Sequence, residues 1–147
     1  MAMTPGSDHS VDRETRDEVT DLLIRYATAI DARDWDLLRT CFTEDCDADY
    51  GDIGHCHGNA EIAAWMASTH DPLGPTLHRI TNVALTKEPG LVRARCHVHG
   101  IVVPPDRSAA VHAFGRYDDE VVATSDGVRV AKRRYTPVTT ELHPPMG

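Results

Sequence analysis

The chain has 147 residues, of which 41% are hydrophobic, and it carries a formal net charge of −8. This length suits a single domain that buries roughly two-thirds of its unfolded surface. The acidic chain has no stripe of basic residues that could neutralise phosphates, so we do not expect nucleic acid or anionic membranes as partners. We expect a small organic substrate instead.

The two ends of the sequence are polar and contain Pro and Gly. We therefore expect residues 1–10 and 139–147 to be flexible and residues 11–138 to form the domain. The first segment has neither the basic start nor the apolar core of a signal peptide, and no apolar run is long enough for a membrane span. These features predict a cytoplasmic protein. The four cysteines need not form a disulfide framework in a chain of this size, so we expect buried free thiols.

Three helices are predicted early in the chain. Over residues 11–32, apolar side chains recur at the three- and four-residue spacing of an amphipathic helix. Asp34 can then cap a short helix over residues 35–41. A Gly-Asn pair at 58–59 predicts the start of a third helix, which we expect to end near residue 68.

The second half of the chain changes to the two-residue alternation of β-strands. The predicted strands cover residues 48–53, 77–86, 92–102, 108–124 and 127–138. An Asp-Gly pair between the last two indicates a hairpin. Helices followed by strands predict an α+β fold with a curved, mixed, mostly antiparallel sheet. A cavity between helices and sheet is the expected site.

Asp31 is the first candidate for chemistry, because it continues the apolar stripe of the first helix four residues after Ala27. A buried carboxylate without a partner would be costly. Two structural interpretations compete with a functional one: Asp31 could cap the next helix, or it could pair with Arg33.

Four further residues have both a structural and a functional interpretation. His78, in TLHRITN, is either a satisfied core histidine or a base. Tyr26 and Tyr50 are either packed aromatics or hydrogen-bond donors to a developing oxyanion. Alternation along the last strand places Arg134 on one face and Arg133 on the other, so Arg134 is either a cavity cation or part of a surface ion pair.

Four segments of the chain together resemble the SnoaL-like family of the nuclear transport factor two-like superfamily. They are DLLIRYATAIDARDWDLLRTCFTED, DADYG, GPTLHRITNV and GRYDDEVVATSDGVRVAKRRY, in this order. The resemblance covers about residues 12–138, and relatives include scytalone dehydratase, bile acid dehydratase and hexachlorocyclohexane dehydrochlorinase. It implies a cone-shaped sheet wrapped around the N-terminal helices.

The resemblance also implies roles for the candidate residues. Asp31 would orient His78, which would act as the general base. Tyr26 and Tyr50 would polarise a substrate oxygen, and Arg134 would balance charge. The expected pocket lining is Trp35, Trp65, Val98, Gly100 and Tyr117.

The activity implied by the resemblance is that of a cofactor-independent lyase or isomerase. Dehydration of a hydrophobic cyclic substrate such as a polyketide, steroid or terpenoid is the first expectation, with cyclisation and epoxide opening left open. No cofactor or metal is expected. A half-cone sheet leaves an apolar outer face, so we also expect a homodimer or a dimer-built oligomer.

Two other classes of protein compete with this interpretation. His55, His57 and Glu61, together with His78 and Asn82, are similar to the metal-binding motifs of cupins. The cupin glycine spacings are missing, however, and Glu61 falls in a predicted helix, so His55 and His57 are interpreted as part of a polar loop. The second class is a non-catalytic binding or assembly subunit, like the β subunits of ring-hydroxylating dioxygenases.

The second half of the chain also contains His97, His99 and His112. His97 and His99 alternate with Val98 and Gly100, so we expect them on the solvated face of their strand. His112 has no predicted role.

Overall fold

The computed structural model describes residues 8–144. The elements in chain order are α1 (Arg13–Ala32), α2 (Trp35–Arg39), β1 (Phe42–Asp49), a 3₁₀ turn (Gly51–Ile53), β2 (His55–His57), α3 (Asn59–His70), β3 (Thr76–Glu88), β4 (Leu91–Val102), β5 (Ala110–Thr124) and β6 (Gly127–His143). Among the described residues, no helix is both long and apolar enough to cross a membrane.

Helix α1 forms where its apolar stripe predicts it. It begins after Asp12, whose side chain accepts a hydrogen bond from the Thr15 N–H at 2.8 Å. Its stripe is buried, including Leu22 and Tyr26. The helix ends at Arg33, which adopts a left-handed conformation with φ 57° and caps the last carbonyls with its N–H. Asp31 therefore lies in the last turn, at the end of the buried stripe.

The six strands form one open sheet in the order β2-β1-β6-β5-β4-β3. Only β1 and β6 pair in parallel, and the other neighbours are antiparallel. The inner face and the helices enclose the core, in which all four cysteines are free and buried. The predicted α+β class and the mostly antiparallel sheet are confirmed.

The first strand lies earlier than predicted. Strand β1 covers Phe42–Asp49, whereas alternation predicted residues 48–53. Residues 51–53 instead form the 3₁₀ turn, because the Asp49 carboxylate accepts the Gly51 N–H at 2.8 Å and Gly51 adopts φ 66°.

Strand β6 is longer than predicted. Residues 139–143, expected in a flexible tail, complete the ladder with β5, from Phe114 opposite Thr139 to Ala110 opposite His143. Backbone pairing holds this segment although its side chains are exposed, so no apolar alternation marked it. At the other end the His9 carbonyl accepts the Lys87 N–H at 2.8 Å. The remaining parts of the predicted flexible ends, residues 1–7 and 145–147, lie outside the described residues.

A β-bulge at Ala131 reverses the predicted faces of Arg133 and Arg134. Val130 pairs with Val121 and Lys132 with Glu120, so Ala131 has no partner on β5. One extra residue shifts the alternation, which places Arg133 in the core at 1% exposure and Arg134 on the outer face. The prediction that Arg134 faces the cavity is therefore wrong.

Candidate active site

An apolar cavity of about 210 Å³ lies between α1, α3 and the inner face of the sheet. Its lining is Tyr26, Ile30, Tyr50, Ile53, Trp65, Met66, His70, His78, Val98, Gly100, Val102, Ala113, Tyr117 and Tyr135. Other depressions on the described surface are larger, at 340 to 450 Å³, but none of them is lined by His78, the histidine that contacts the Asp31 carboxylate. The smaller cavity is therefore the candidate site for acid–base chemistry.

Asp31 and His78 form a hydrogen-bonded pair at the edge of this cavity. His78 Nδ1 lies 2.7 Å from Asp31 Oδ1, and the His78 backbone N–H donates to Asp31 Oδ2 at 2.8 Å. Their side chains are 11% and 22% exposed, so the pair is largely shielded from water. The geometry predicted for the pair is present.

Neighbouring groups fix the Asp31 carboxylate. Thr76 Oγ1 donates to Asp31 Oδ1 at 3.0 Å and accepts from Arg33 Nη1 at 2.8 Å. Arg33 thus donates hydrogen bonds to Thr76 and to the Gly74 carbonyl instead of pairing with Asp31. The cap of α2 is Asp34, which accepts the Leu37 N–H at 3.0 Å. Neither structural interpretation of Asp31 applies.

The contacts of Asp31 set its charge and the tautomer of His78. Burial alone would raise the pKa of Asp31, but hydrogen bonds from the His78 ring, the His78 N–H and Thr76 outweigh it and lower the pKa. An ionised carboxylate only accepts, so His78 Nδ1 carries a proton. The other nitrogen, Nε2, is then free to accept one, and it lies beside Gly100, where a Cβ would come within 3.5 Å.

Three buried tyrosine hydroxyls meet at another part of the cavity. The Tyr26 hydroxyl lies 2.9 Å from that of Tyr50 and 3.2 Å from that of Tyr117. Burial is the main cause that raises the pKa of each phenol, so all three stay protonated. Three hydroxyl protons serve two mutual hydrogen bonds, which leaves one proton to donate to a bound ligand.

A buried ion pair lies beneath the tyrosine cluster. Arg133 Nε and Nη2 donate to the two carboxylate oxygens of Asp119 at 2.8 and 2.7 Å. Burial disfavours the guanidinium charge, but Asp119 keeps the pKa of Arg133 raised. The guanidinium lies 4.2 Å from the Tyr26 ring centre and 3.8 Å from that of Tyr117. Arg133 therefore packs against the faces of the Tyr26 and Tyr117 rings, whereas strand alternation predicted that it faces outward.

His70 also lines the cavity, although no sequence pattern predicted a role for it. Its Nδ1 lies 3.0 Å from the Met66 carbonyl oxygen and 2.8 Å from Thr69 Oγ1, whose own proton is directed to the Trp65 and Met66 carbonyls. Both oxygens can accept from Nδ1, so this nitrogen carries the proton and Nε2 is a potential acceptor. Burial lowers the pKa of His70, and its ring centre lies 5.8 Å from that of His78. The predicted helix ended near residue 68, two residues short of His70, and this removed it from consideration.

The predicted pocket lining is mostly in place. Trp65, Val98, Gly100 and Tyr117 line the cavity. Trp35 does not, because it lies behind His70 at 6.2 Å between ring centres. The indole N–H of Trp35 donates to Asp71 instead.

The cupin-like residues do not come together. His55 and His57 lie on β2, whereas His78 and Asn82 lie on β3 at the opposite edge of the sheet. Glu61 lies in α3, as predicted.

The other histidines of the second half occupy the outer face. His97 and His99 lie on that face, as expected, while Val98 and Gly100 are buried. His99 Nε2 contacts His112 Nδ1 there at 2.8 Å.

The fold and the site together define a small α+β protein with an apolar cavity and a histidine–carboxylate pair at its edge. The sequence model of the SnoaL-like domain matches residues 11–134. The chain therefore belongs to the SnoaL-like family, within the nuclear transport factor two-like superfamily, and the resemblance seen in the sequence is confirmed.

The chain is similar to three known proteins in sequence or in fold. The uncharacterized protein Rv2910c of Mycobacterium tuberculosis is 29% identical over 118 residues, covering 79% of this chain and 80% of the relative. A solved structure of a candidate aromatic ring hydroxylase from Novosphingobium aromaticivorans is 30% identical, with a TM-score of 0.82 and coverage of 92% and 96% of the two chains. The structure of LinA is 18% identical, with a TM-score of 0.80 and coverage of 91% of each chain. LinA shares the fold.

Proposed function

We propose that this protein is a cofactor-independent lyase that removes water from a cyclic hydroxy ketone by abstracting a proton next to the carbonyl. The observation that carries the proposal is the Asp31–His78 pair, which leaves His78 Nε2 as an acceptor on an apolar cavity. A neutral imidazole with an oriented tautomer is the usual base for such a proton.

In the proposed reaction, His78 Nε2 takes the proton from the carbon next to the carbonyl. The electron pair of that C–H bond moves toward the carbonyl, whose oxygen gains negative charge. The unused hydroxyl proton of the tyrosine cluster donates to this oxygen. The electron pair then forms the carbon–carbon double bond as the β-hydroxyl leaves, and the imidazolium returns its proton, so the products are an enone and water.

Asp31 acts through His78. Its ionised carboxylate stabilises the imidazolium that forms during proton transfer and holds the ring in one orientation. Thr76 and the His78 backbone N–H hold the carboxylate in turn, so Asp31 is anchored before any substrate binds.

The cavity favours a compact substrate. Its volume of about 210 Å³ is below the common range for drug-sized ligands of about 300–1,000 Å³. Its aromatic walls, including Trp65 and Tyr135, suit the faces of flat rings. A one- or two-ring polyketide-like or terpenoid ketone fits this description better than a complete steroid.

The proposal is tested by incubating the protein with a panel of one- and two-ring β-hydroxy ketones. Loss of one water, detected by mass spectrometry, together with new enone absorbance would support it. The matched controls are His78→Gln, which should be inactive, and His97→Gln, which alters a histidine on the outer face and should be active. Elimination by His78→Gln at the rate of the unaltered protein would contradict the proposal.

A second function is a non-catalytic binding or assembly subunit. It rests on the resemblance in fold to the β subunits of ring-hydroxylating dioxygenases, and a solved structure 30% identical to this chain is named as a candidate aromatic ring hydroxylase. Ligand binding in the cavity without any turnover, together with stable purification only with a partner chain, would support this alternative.

We also propose that the chain forms a homodimer through the outer face of its sheet. Leu77 and Val138 are 53% and 64% exposed, which suits a surface covered by another subunit. Light scattering at tens of micromolar protein tests this, and a monomer at that concentration would contradict it.

A further inference from the structure

A cluster of metal-ligating side chains lies on the β1–β2 hairpin, away from the cavity. Asp47 of β1 pairs across the hairpin with His57 of β2, and Asp49 pairs with His55. Because side chains alternate along a strand, His55 and His57 share the outward face, while Cys56 between them is buried at 2% exposure. Asp47, His55 and His57 are called the hairpin triad below.

The donor atoms of the hairpin triad converge on a single point. His57 Nδ1 lies 3.5 Å from Asp47 Oδ1, and His55 Nε2 is in hydrogen-bond contact with the same oxygen. All three donor atoms lie within 4.8 Å of one another. Ligands bound tetrahedrally to zinc at about 2.0–2.2 Å are spaced by about 3.3–3.6 Å. Small side-chain rotations would therefore bring the three donors to zinc distance.

We propose that Asp47, His55 and His57 bind one divalent zinc-like ion on the outer face of the β1–β2 hairpin. Two imidazoles and one carboxylate form a common ligand set for zinc and related first-row ions. The side chains of the triad are 42% to 70% exposed, so an ion can enter from solvent and water can take the fourth position.

The charges around the triad favour a cation. Asp47 contacts both imidazoles, and Asp49 pairs with His55 across the hairpin. Glu61, in the first turn of α3, adds a third carboxylate near His55. The same negative charges would stabilise a bound divalent ion. Lys132 and Arg134 oppose it, since they pair with Asp47 and Asp49 in the β1–β6 register. Three carboxylates against these two cations leave the site with a negative balance.

The proposed ion would stabilise the β1–β2 hairpin, which borders the cavity, without lying in the cavity. Tyr50 and Ile53, between the two strands of the hairpin, line the cavity, whereas the triad faces the other side of the sheet edge. A bound ion would cross-link β1 to β2 and limit the opening of this edge. We therefore expect an effect on stability and no change in turnover, so this inference is independent of the proposed function.

The experiment is a titration of tag-free protein with Zn²⁺ at pH 7.5, followed by calorimetry, and with Co²⁺, followed by visible absorption. We expect one ion per chain with micromolar affinity. The variants His55→Gln and His57→Gln should each weaken binding by about tenfold or more, because each loses one of three ligands. Zn²⁺ should raise the Tm of the unaltered protein and leave that of His57→Gln unchanged.

The matched control is His112→Gln, which alters the His99–His112 contact on the outer face of the sheet. This variant should bind the ion with unaltered affinity. The inference is overturned if the unaltered protein binds no ion at 100 µM Zn²⁺ (about 10²-fold above the expected dissociation constant). It is also overturned if both triad variants bind as before, or if His112→Gln loses the site.

Discussion

Arg133 and Asp119 form a two-pronged ion pair in which neither side chain is exposed, directly beneath the tyrosine cluster. The pair connects β6 to β5 and holds a positive charge against the faces of Tyr26 and Tyr117. The positions of the tyrosine hydroxyls therefore depend on the Arg133 charge, although Arg133 does not line the cavity.

Replacing Asp119 with Asn should destabilise the protein strongly. The change leaves the buried Arg133 charge without its partner, and removal of one member of a buried pair costs about 3–5 kcal/mol. Urea unfolding measures this free energy. The neighbouring variant Asp118→Asn is the control, because it breaks an exposed pair with Arg95 and should cost less than about 1 kcal/mol. Equal losses in the two variants would show that Arg133 does not depend on Asp119.

Replacing Tyr50 with Phe should reduce turnover more than it reduces folding stability. The hydroxyl of Tyr50 belongs to the cluster that donates to the developing oxyanion, and loss of such a donor costs about 10²-fold in kcat. Tyr135→Phe is the control, since this ring lines the same cavity but lies outside the three-hydroxyl cluster. If the two variants have the same kcat, the cluster does not polarise the substrate.

Substitution of Gly100 tests the space in front of His78. A Cβ at this position would meet His78 Cδ2 and Nε2 at 3.5 Å, an ordinary contact distance. Gly100→Ala should therefore fold normally, whereas Gly100→Val should fill the approach to Nε2 and lower kcat/KM by about tenfold or more. Circular dichroism checks the fold. Full activity in Gly100→Val would mean that the substrate does not approach along this path.

The stability of the protein should fall below neutral pH in a manner that depends on His70. Burial lowers the pKa of His70 below its ordinary value of 6.5. As the pH falls below 6.5, the unfolded chain takes up a proton that the folded chain does not, so the free energy of unfolding decreases down to the lowered pKa. Urea unfolding at pH 7.5 and 5.5 should show a smaller decrease for His70→Gln than for the unaltered protein. An identical decrease in the two proteins would show that burial does not lower the pKa of His70.

The sequence predicted the parts of the site that depend on regular periodicity. Helix α1 and the start of β3 follow their patterns, whereas the contact between Asp31 and His78 was expected only from the resemblance to the SnoaL-like family. The resemblance then supplied what spacing could not, namely which of the interpretations of Asp31 to prefer. The structure agrees with the functional interpretation, because Asp34 and not Asp31 caps α2.

The sequence failed where one residue breaks a regular pattern. The bulge at Ala131 depends on pairing with two neighbouring strands, and strand alternation contains no sign of it. A sign did exist on the partner strand: Asp119 alternates with Tyr117 and Val121 on an inward face, and a buried carboxylate needs a cation. That requirement would have indicated Arg133.

The hairpin triad could not be found from sequence because its members come from two strands whose register was unknown. Asp47 meets His57 only through the β1–β2 pairing. The predicted first strand began at residue 48 and therefore left Asp47 outside the sheet. The sequence grouped His55 and His57 with Glu61 instead of Asp47, and because Glu61 falls in a predicted helix, the two histidines indicated only a polar loop.

The most direct test of the central claim is exchange of the substrate's α-proton with deuterium from solvent, followed by NMR with a cyclic ketone that the protein binds. The unaltered protein should incorporate deuterium, and His78→Ala should lose about 10²- to 10⁴-fold of the rate while it folds normally. Asp31→Asn should lose a comparable amount, because the amide lacks the negative charge that stabilises the imidazolium. Exchange by His78→Ala at the rate of the unaltered protein would contradict the account.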